Sequence, residues 1–449
     1  MSDLDRRAFG RSAAVAAGTL SALSASARAA GSNERVRLGI IGVGNRGDQL
    51  LSAFLPHKDC EIVSVCDVFE PYLVPAQTKV GGKATLVSDY RRMLDAKDID
   101  AIIIATPDHW HALQFIEACR AGKHVYVEKP TSLTIGEGKR MVEVAKETKR
   151  ITQVGFMRRS SAFIQEAVEL IRGGAIGKVT SAKCTFRRNE MPMGIGNPAD
   201  GMPPPGLNWD SWLGPAPKVP FNENRCLYKF RWFGAYSGGQ VTNQGAHYID
   251  VIQWALGQDA PKGCFAAGGK YAVDDNRDIP DTMEAVWQYD SALVTYSQYN
   301  ANGASTNLRG TDMEFRGTTG TLYLQDGFGW EIVPESNRTE SVPALSPIDR
   351  AGNTKQGRAT KLVGKPRGNK GASSTEAHAR NFLDAIRKGT PTTCPIEVGH
   401  RSTSATILAK MALACGRYLA WDAAAEQVVG DDDANKLLNY EYRAPYQLG

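Results

Sequence analysis

Arg35 to Gly47, RVRLGIIGVGNRG, decides how the first third of the chain is read. The near-continuous apolar run predicts a strand buried on both faces, as in a parallel sheet. It feeds directly into Gly42-Val43-Gly44-Asn45-Arg46-Gly47, a G-x-G-x-x-G, and then a helix to about Leu55. In such a turn the glycines allow a tight bend, close backbone approach to a pyrophosphate, and close helix–strand packing. Free N–H groups and the helix dipole would hold the phosphates. A second strand, Glu61 to Cys66, ends in Asp67, twenty residues past Gly47, where an acid should meet ribose hydroxyls. An acid here favours NAD over NADP, whose 2′-phosphate it would repel; Arg46 keeps NADP open.

Strand–helix alternation continues outward from this unit. Helix Glu70 to Lys79 precedes Thr85 to Val87, a short helix follows at Asp89 to Leu94, and Ala101 to Ala105 is the next strand. Thr106-Pro107-Asp108-His109-Trp110-His111 opens a helix to Ala121, ended by Gly122. Val125-Tyr126-Val127 then stops at Glu128-Lys129-Pro130, where proline removes a ladder donor. A helix at Ile135 to Thr148 and a strand at Ile151 to Val154 complete a doubly wound parallel sheet. Ligands of such sheets bind beyond the carboxyl ends of the strands, which is where Glu128 and Lys129 stand.

The texture changes after Phe156. A helix at Ala162 to Arg172 leads into strands at Lys178 to Arg188, Met283 to Tyr289, Leu293 to Tyr299, Met313 to Arg316 and Thr321 to Gln325. Runs of strands without intervening helices predict a mostly antiparallel sheet, giving an α/β chain of two domains. Gly194 to Leu207 reads as loop, and Trp209 to Trp254 gathers ten aromatics that can pack a core or stack on sugar faces. Arg350 to Lys370 carries seven Lys or Arg and no acid, and reads as a solvated loop or arm. Leu408, Met411, Ala412, Cys415, Tyr418 and Leu419 are spaced as one buried helix face.

At 449 residues, with 42% hydrophobic and 22% charged residues, the composition is globular. The net charge of +5 is too small to suggest nucleic-acid binding. Asp5-Arg6-Arg7-Ala8-Phe9, the apolar run Ala13 to Ala25, and Ala27-Arg28-Ala29 follow the order of a cleaved signal peptide over 1–30, with a twin arginine. That pattern implies the twin-arginine export machinery as partner and a periplasmic or secreted protein, without membrane insertion. Eight cysteines show no C-x-x-C, so they read as small core residues.

With GVGNRG at 42–47, TPDHWHA at 106–112, GKHVYVEKP at 122–130 and SGGQVTNQGAHYID at 237–250, the chain resembles the Gfo/Idh/MocA oxidoreductase family. NWDSWLGPAP at 208–217 and the tail to YRAPY are similar to its secreted bacterial branch. The resemblance implies an NAD(P)-binding Rossmann domain over 35–156 and a substrate and oligomerisation domain over 157–449, whose open antiparallel sheet often builds dimers or tetramers. The final helices could pack back on the Rossmann domain. Members mostly oxidise or reduce sugars, polyols and related carbonyl compounds.

Carried over residue by residue, Lys129 matches the catalytic lysine and Glu128 its cofactor-contacting neighbour. His247 matches the motif histidine facing the nicotinamide. The implied cofactor contacts are Gly42, Gly44, Asn45, Arg46, Gly47, Asp67, Thr106, Pro107, Trp110, His111, Glu128 and Lys129. Arg159, Asn243 and His247 are the implied substrate contacts. Asn243 stands where many members carry aspartate, and an amide cannot accept a proton. Either Lys129 or His247 then acts alone as acid–base group, or the chemistry differs. His109 and His111 lack a third metal ligand, so no metal is expected.

The expected function is hydride transfer between a nicotinamide and a sugar, polyol or glycoside. Because the periplasm offers little free nucleotide, the cofactor must stay bound at nanomolar affinity, on the order of −12 kcal/mol. Two alternatives stand beside this: glycoside cleavage by transient oxidation, elimination and re-reduction, and a non-catalytic sugar- and NAD-binding protein.

Overall fold

The apolar run around Leu38 forms β1 (Val36–Ile41), the middle of a six-stranded parallel sheet. The structure, a computed structural model, describes residues 35–338 and 360–449. The proposed signal segment and residues 350–359 of the basic stretch lie outside the described residues. In chain order the sheet holds β1, β2 (Cys60–Cys66), β3 (Thr85–Val87), β4 (Ala101–Ile104), β5 (His124–Val127) and β6 (Thr152–Val154), in the spatial order β3-β2-β1-β4-β5-β6. Between them run α1 (Asn45–Phe54), α2 (Glu70–Lys79), α3 (Arg91–Asp95), α4 (Asp108–Arg120) and α5 (Ile135–Thr148). Strand order reverses between β1 and β4, which opens a crevice at their carboxyl ends.

Each strand is apolar on both faces because each face has its own cover. Ile102, Ile104, Val125 and Val127 pack with α4 and α5, whereas Leu38, Ile40, Ile103 and Tyr126 pack with α1. The second layer is completed by Ala379, Phe382 and Leu383 of a helix far along the chain. α5 begins with a capping box in which Thr134 accepts from the Glu137 N–H and Glu137 accepts from the Thr134 N–H.

The second sheet has ten strands and α6 (Ala162–Arg172) leads into it. Its strands are β7 (Val179–Arg187), β8 (Gly263–Gly269), β9 (Thr282–Gln288), β10 (Leu293–Tyr299), β11 (Met313–Gly317), β12 (Gly320–Gln325), β13 (Gly329–Pro334), β16 (Arg367–Asn369), β17 (Leu419–Asp422) and β18 (Gln427–Val428). A separate two-stranded ladder joins β14 (Ser336–Arg338) to β15 (Thr360–Leu362). All neighbours run antiparallel except β7 and β10. α7 (Trp209–Leu213), α8 (Gln240–Leu256), α9 (Thr375–Lys388) and α10 (Ile396–Cys415) complete the elements used below. α6, α8 and α10 bury one face of this sheet around Trp287, Tyr296 and Phe315.

Two expectations need correction. The stripe placed on one helix through Leu419 breaks at Gly416, a left-handed cap, so Tyr418 is exposed and Leu419 starts β17. Within the basic stretch, Arg367–Asn369 is an exposed edge strand on β13 rather than loop. β8 and β13 also escaped the sequence reading, and in β8 glycines blur the alternation.

Candidate active site

A cavity of about 620 Å³ opens at the carboxyl ends of β1, β2, β4 and β5 and extends to α7 and α8. Its floor is backbone. Gly42 has φ +82°, and a Cβ there would lie 2.8 Å from the Ala105 carbonyl oxygen. At Gly47 a Cβ would fall 2.0 Å from the Gly42 oxygen, so this glycine lets α1 approach β1; it does not line the cavity. Gly44 and Asn45 do line it, at the helix start where first-turn N–H groups have no intrahelical partner.

Asp67, at the end of β2, lines the same floor. Its carboxylate accepts the Val43 N–H at 2.9 Å and the Phe69 N–H at 2.9 Å, which ties the glycine turn to β2. Burial nevertheless raises its pKa. Arg46 points elsewhere: its Nε donates to Glu128 at 2.7 Å, so its charge is spent at β5 and does not offset Asp67. Thr106, Pro107, Trp110 and His111 line the wall between β4 and α4. Trp110 donates its indole N–H to the Trp212 carbonyl at 2.9 Å, and both His111 nitrogens face carbonyl oxygens, of Pro130 at 2.7 Å and Thr106 at 2.8 Å. His109 is buried against the Trp212 carbonyl, and among the described residues no group of three or more His, Cys, Asp or Glu could hold a metal.

The far end is built by side chains from distant parts of the chain. Lys129 follows β5 and donates to the Asn243 side-chain oxygen at 2.7 Å and its carbonyl at 3.2 Å. Burial, then the neighbouring Arg231 charge, lowers the Lys129 pKa to about 8. His247 lies one turn after Asn243 on α8, meets Phe156 edge-on at 5.8 Å, and is buried with Nδ1 unpartnered. Burial and the Lys129 charge push its pKa well below 6.5, so the ring is neutral at neutral pH. His247 is not part of the cavity wall itself. Neither is Arg159, expected to contact substrate: its Nε donates to both Asp250 oxygens at 2.9 Å and it stacks on Trp254.

Sequence reasoning missed Arg231, Tyr90, Arg91 and Tyr446, all of which line the cavity, as does Tyr228 of the aromatic group. Arg231 shares the aromatic run YKFRWF with a second cation, Lys229, and nothing in the run marks it for the site. Of the aromatics in that run, Trp232 and Phe233 are core and Tyr228 is exposed.

Family models match most of the chain: an oxidoreductase family with NAD-binding Rossmann fold over 36–156, and its C-terminal alpha/beta domain over 164–343 and 370–448. The chain belongs to the Gfo/Idh/MocA oxidoreductase family. An inositol 2-dehydrogenase of Salmonella paratyphi B is 32% identical over 145 residues, which is 32% of this chain and 43% of that protein. A glycosyl hydrolase family 109 protein of Shewanella sp. is 28% identical over 34% of this chain and 35% of its own length. The chain thus aligns with less than half of either relative. A levoglucosan dehydrogenase, solved with NADH and levoglucosan, is 19% identical with a TM-score of 0.62, over 86% of this chain and 99% of that one. At that identity it supports the fold.

The residues present fit NAD, the cofactor of this family's Rossmann domain. Gly42 could not carry a side chain without meeting Ala105, the α1 start faces the cavity, and Asp67 presents an acid rather than a cation beside the turn. Gly44, Asn45 and Asp67 would hold the nucleotide half, and Thr106, Pro107 and Glu128 the half nearer Lys129.

Proposed function

We propose that this protein is an NAD(P)-dependent oxidoreductase moving hydride between a firmly held nicotinamide and a hydroxyl-bearing carbon of a sugar, polyol or glycoside. Bound in the cavity, the nicotinamide supplies the hydride acceptor or donor. The carrying observation is that Lys129 shares one cavity with the glycine turn and has a pKa of about 8. Its Nζ, as the neutral amine, takes the hydroxyl proton in the oxidising direction and returns it in the reducing one. Asn243 orients that amine, since its oxygen accepts at 2.7 Å and cannot take the proton. His247 is neutral and buried outside the cavity lining, so it is not placed to exchange a proton with substrate. Of the two acid–base candidates, Lys129 is therefore preferred.

The twin-arginine pattern supports export of the folded, cofactor-loaded protein to the periplasm, and the open sheet supports a dimer or tetramer. Denaturing the purified protein and identifying the released nucleotide, before and after exposure to neutral sugars and aryl glycosides, tests the whole reading. Bound NAD whose redox state changes with a sugar is expected. Aglycone release would instead point to glycoside cleavage, and an unchanging nucleotide with every compound would leave a binding protein. Cell fractionation tests the location.

A further inference from the structure

Four cations line the cavity: Arg46, Arg91, Lys129 and Arg231. The two toward the glycine turn and β3 are neutralised. Arg46 pairs with Glu128 at 2.7 Å, and Arg91 pairs with Glu117 at 3.5 Å and Asp89 at 3.7 Å. The other two have no ion-pair partner among the described residues. Glu128 is committed to Arg46, and Asp108, which lines the cavity, acts on Lys129 from a distance and accepts from Ser237 at 2.6 Å without an ion pair to either cation.

Lys129 and Arg231 nevertheless converge. Lys129 Nζ lies 2.7 Å and Arg231 Nε 3.4 Å from the same Asn243 oxygen. That places two unpaired cations within about 6 Å of each other, a range at which like charges disfavour one another. Arg231 is held there by construction: it stacks on Phe230 at 4.6 Å and Tyr228 at 4.9 Å and donates to the Tyr228 carbonyl at 3.0 Å. Those bonds use two of its five N–H groups and leave the planar fork free for a bidentate acceptor.

Resting on the oxidoreductase reading above, we propose that Arg231 binds a carboxylate on the substrate, beside the hydroxyl that Lys129 serves, so that the preferred substrates are sugar acids rather than neutral sugars. A neutral polyol would leave the Arg231 fork without a counter-charge; a carboxylate fills it and offsets its repulsion of Lys129. The amide at 243 belongs to the same design, because a carboxylate there would neutralise the pair from within.

The test compares matched pairs, glucuronate against glucose and galacturonate against galactose, with glucose 6-phosphate as a second anion. Two readouts are used on the purified, nucleotide-containing protein: calorimetric binding and the redox state of the bound nucleotide. The uronates should bind at least tenfold tighter than their neutral partners, and Arg231→Gln should erase that ratio while Arg231→Lys keeps part of it. The loss should fall on KM and weaken with added salt. Equal binding of acid and neutral sugars overturns the inference while leaving the oxidoreductase reading intact, as does loss of bound nucleotide in Arg231→Gln, which would assign the arginine to the cofactor. Preference for the phosphate over both uronates overturns the carboxylate assignment. Selective uronate binding with an unchanged nucleotide would keep the inference and sink the oxidoreductase reading.

Discussion

The two ends of the cavity are built on opposite principles. At the glycine turn, recognition is backbone: a helix start, two glycines that no side chain could replace, and an Asp67 whose oxygens are already held by Val43 and Phe69. At the Lys129 end, recognition is side chains brought together across 114 residues, with Lys129 and Arg231 lacking an ion-pair partner among the described residues. The first end is fixed by backbone and suits a permanent ligand. The second stores unsatisfied polarity, which suits a ligand that comes and goes.

Lys129→Met should break the second end alone and gives the largest expected effect. Turnover should fall by about 10²–10⁴-fold, the usual contribution of a positioned acid–base group, with bound nucleotide retained. Stability should move the other way. Because the folded-state pKa of about 8 lies below the ordinary 10.5, the unfolded chain holds more protons between those values and stability rises with pH across them. The cost of burying the ammonium is therefore fully present below pH 8, and removing it should stabilise the fold at pH 7 by about 1–2 kcal/mol, read by chemical denaturation.

Gly47→Ala is the matching break at the first end. A Cβ 2.0 Å from the Gly42 oxygen must push α1 off β1, since the obstacle is backbone. Nucleotide affinity should drop about 10–100-fold, seen as nucleotide lost on dialysis, while the Lys129 pKa stays put. If instead both variants lost nucleotide equally, the division between the ends would fail.

Asn243→Asp sharpens the comparison by adding the missing charge. A carboxylate within hydrogen-bond reach of Nζ favours the ammonium and should raise the Lys129 pKa by about 1–3 units. In the oxidising direction the neutral amine is the active form, so the rising limb of the pH–rate profile should move alkaline from about 8. At pH 8 the rate should fall roughly tenfold and recover at higher pH. An unchanged profile would mean that Lys129 is not the titrating base.

How legible each end was follows from how it is encoded. The turn and its acid lie within Gly42 to Asp67, where spacing in sequence is nearly spacing in space. The parallel sheet was readable for the same reason, as β4 and β5 are short apolar runs between helices. Lys129 was legible as a strand-end residue, Asn243 was found only through resemblance to a family motif, and Arg231, outside any motif, was missed. No local pattern tells which of two neighbouring arginines is paired: Arg159 read as a substrate contact but is held by Asp250, which lies on α8 91 residues away. The second sheet was harder in part because β8 contains glycines where alternation should be.

The smallest effect expected comes from the C-terminal tail, which touches only the cofactor end. Tyr446 meets Trp110 edge-on at 5.4 Å, and Arg443 anchors the segment by donating to Asp210 at 2.7 Å and to the Gly214 carbonyl at 2.9 Å. Tyr446 lines the cavity beside Arg91, so the tail covers the part of the pocket that Asp67 and the glycine turn leave open. An edge-to-face aromatic pair contributes about 0.5–1.5 kcal/mol, so Tyr446→Ala should speed nucleotide dissociation only about two- to tenfold. Lys129 chemistry should not respond: with saturating nucleotide supplied, turnover and its pH profile should match those of the parent. A change in either would mean that the tail couples the two ends, and that the permanent and exchanging halves of the cavity are not independent.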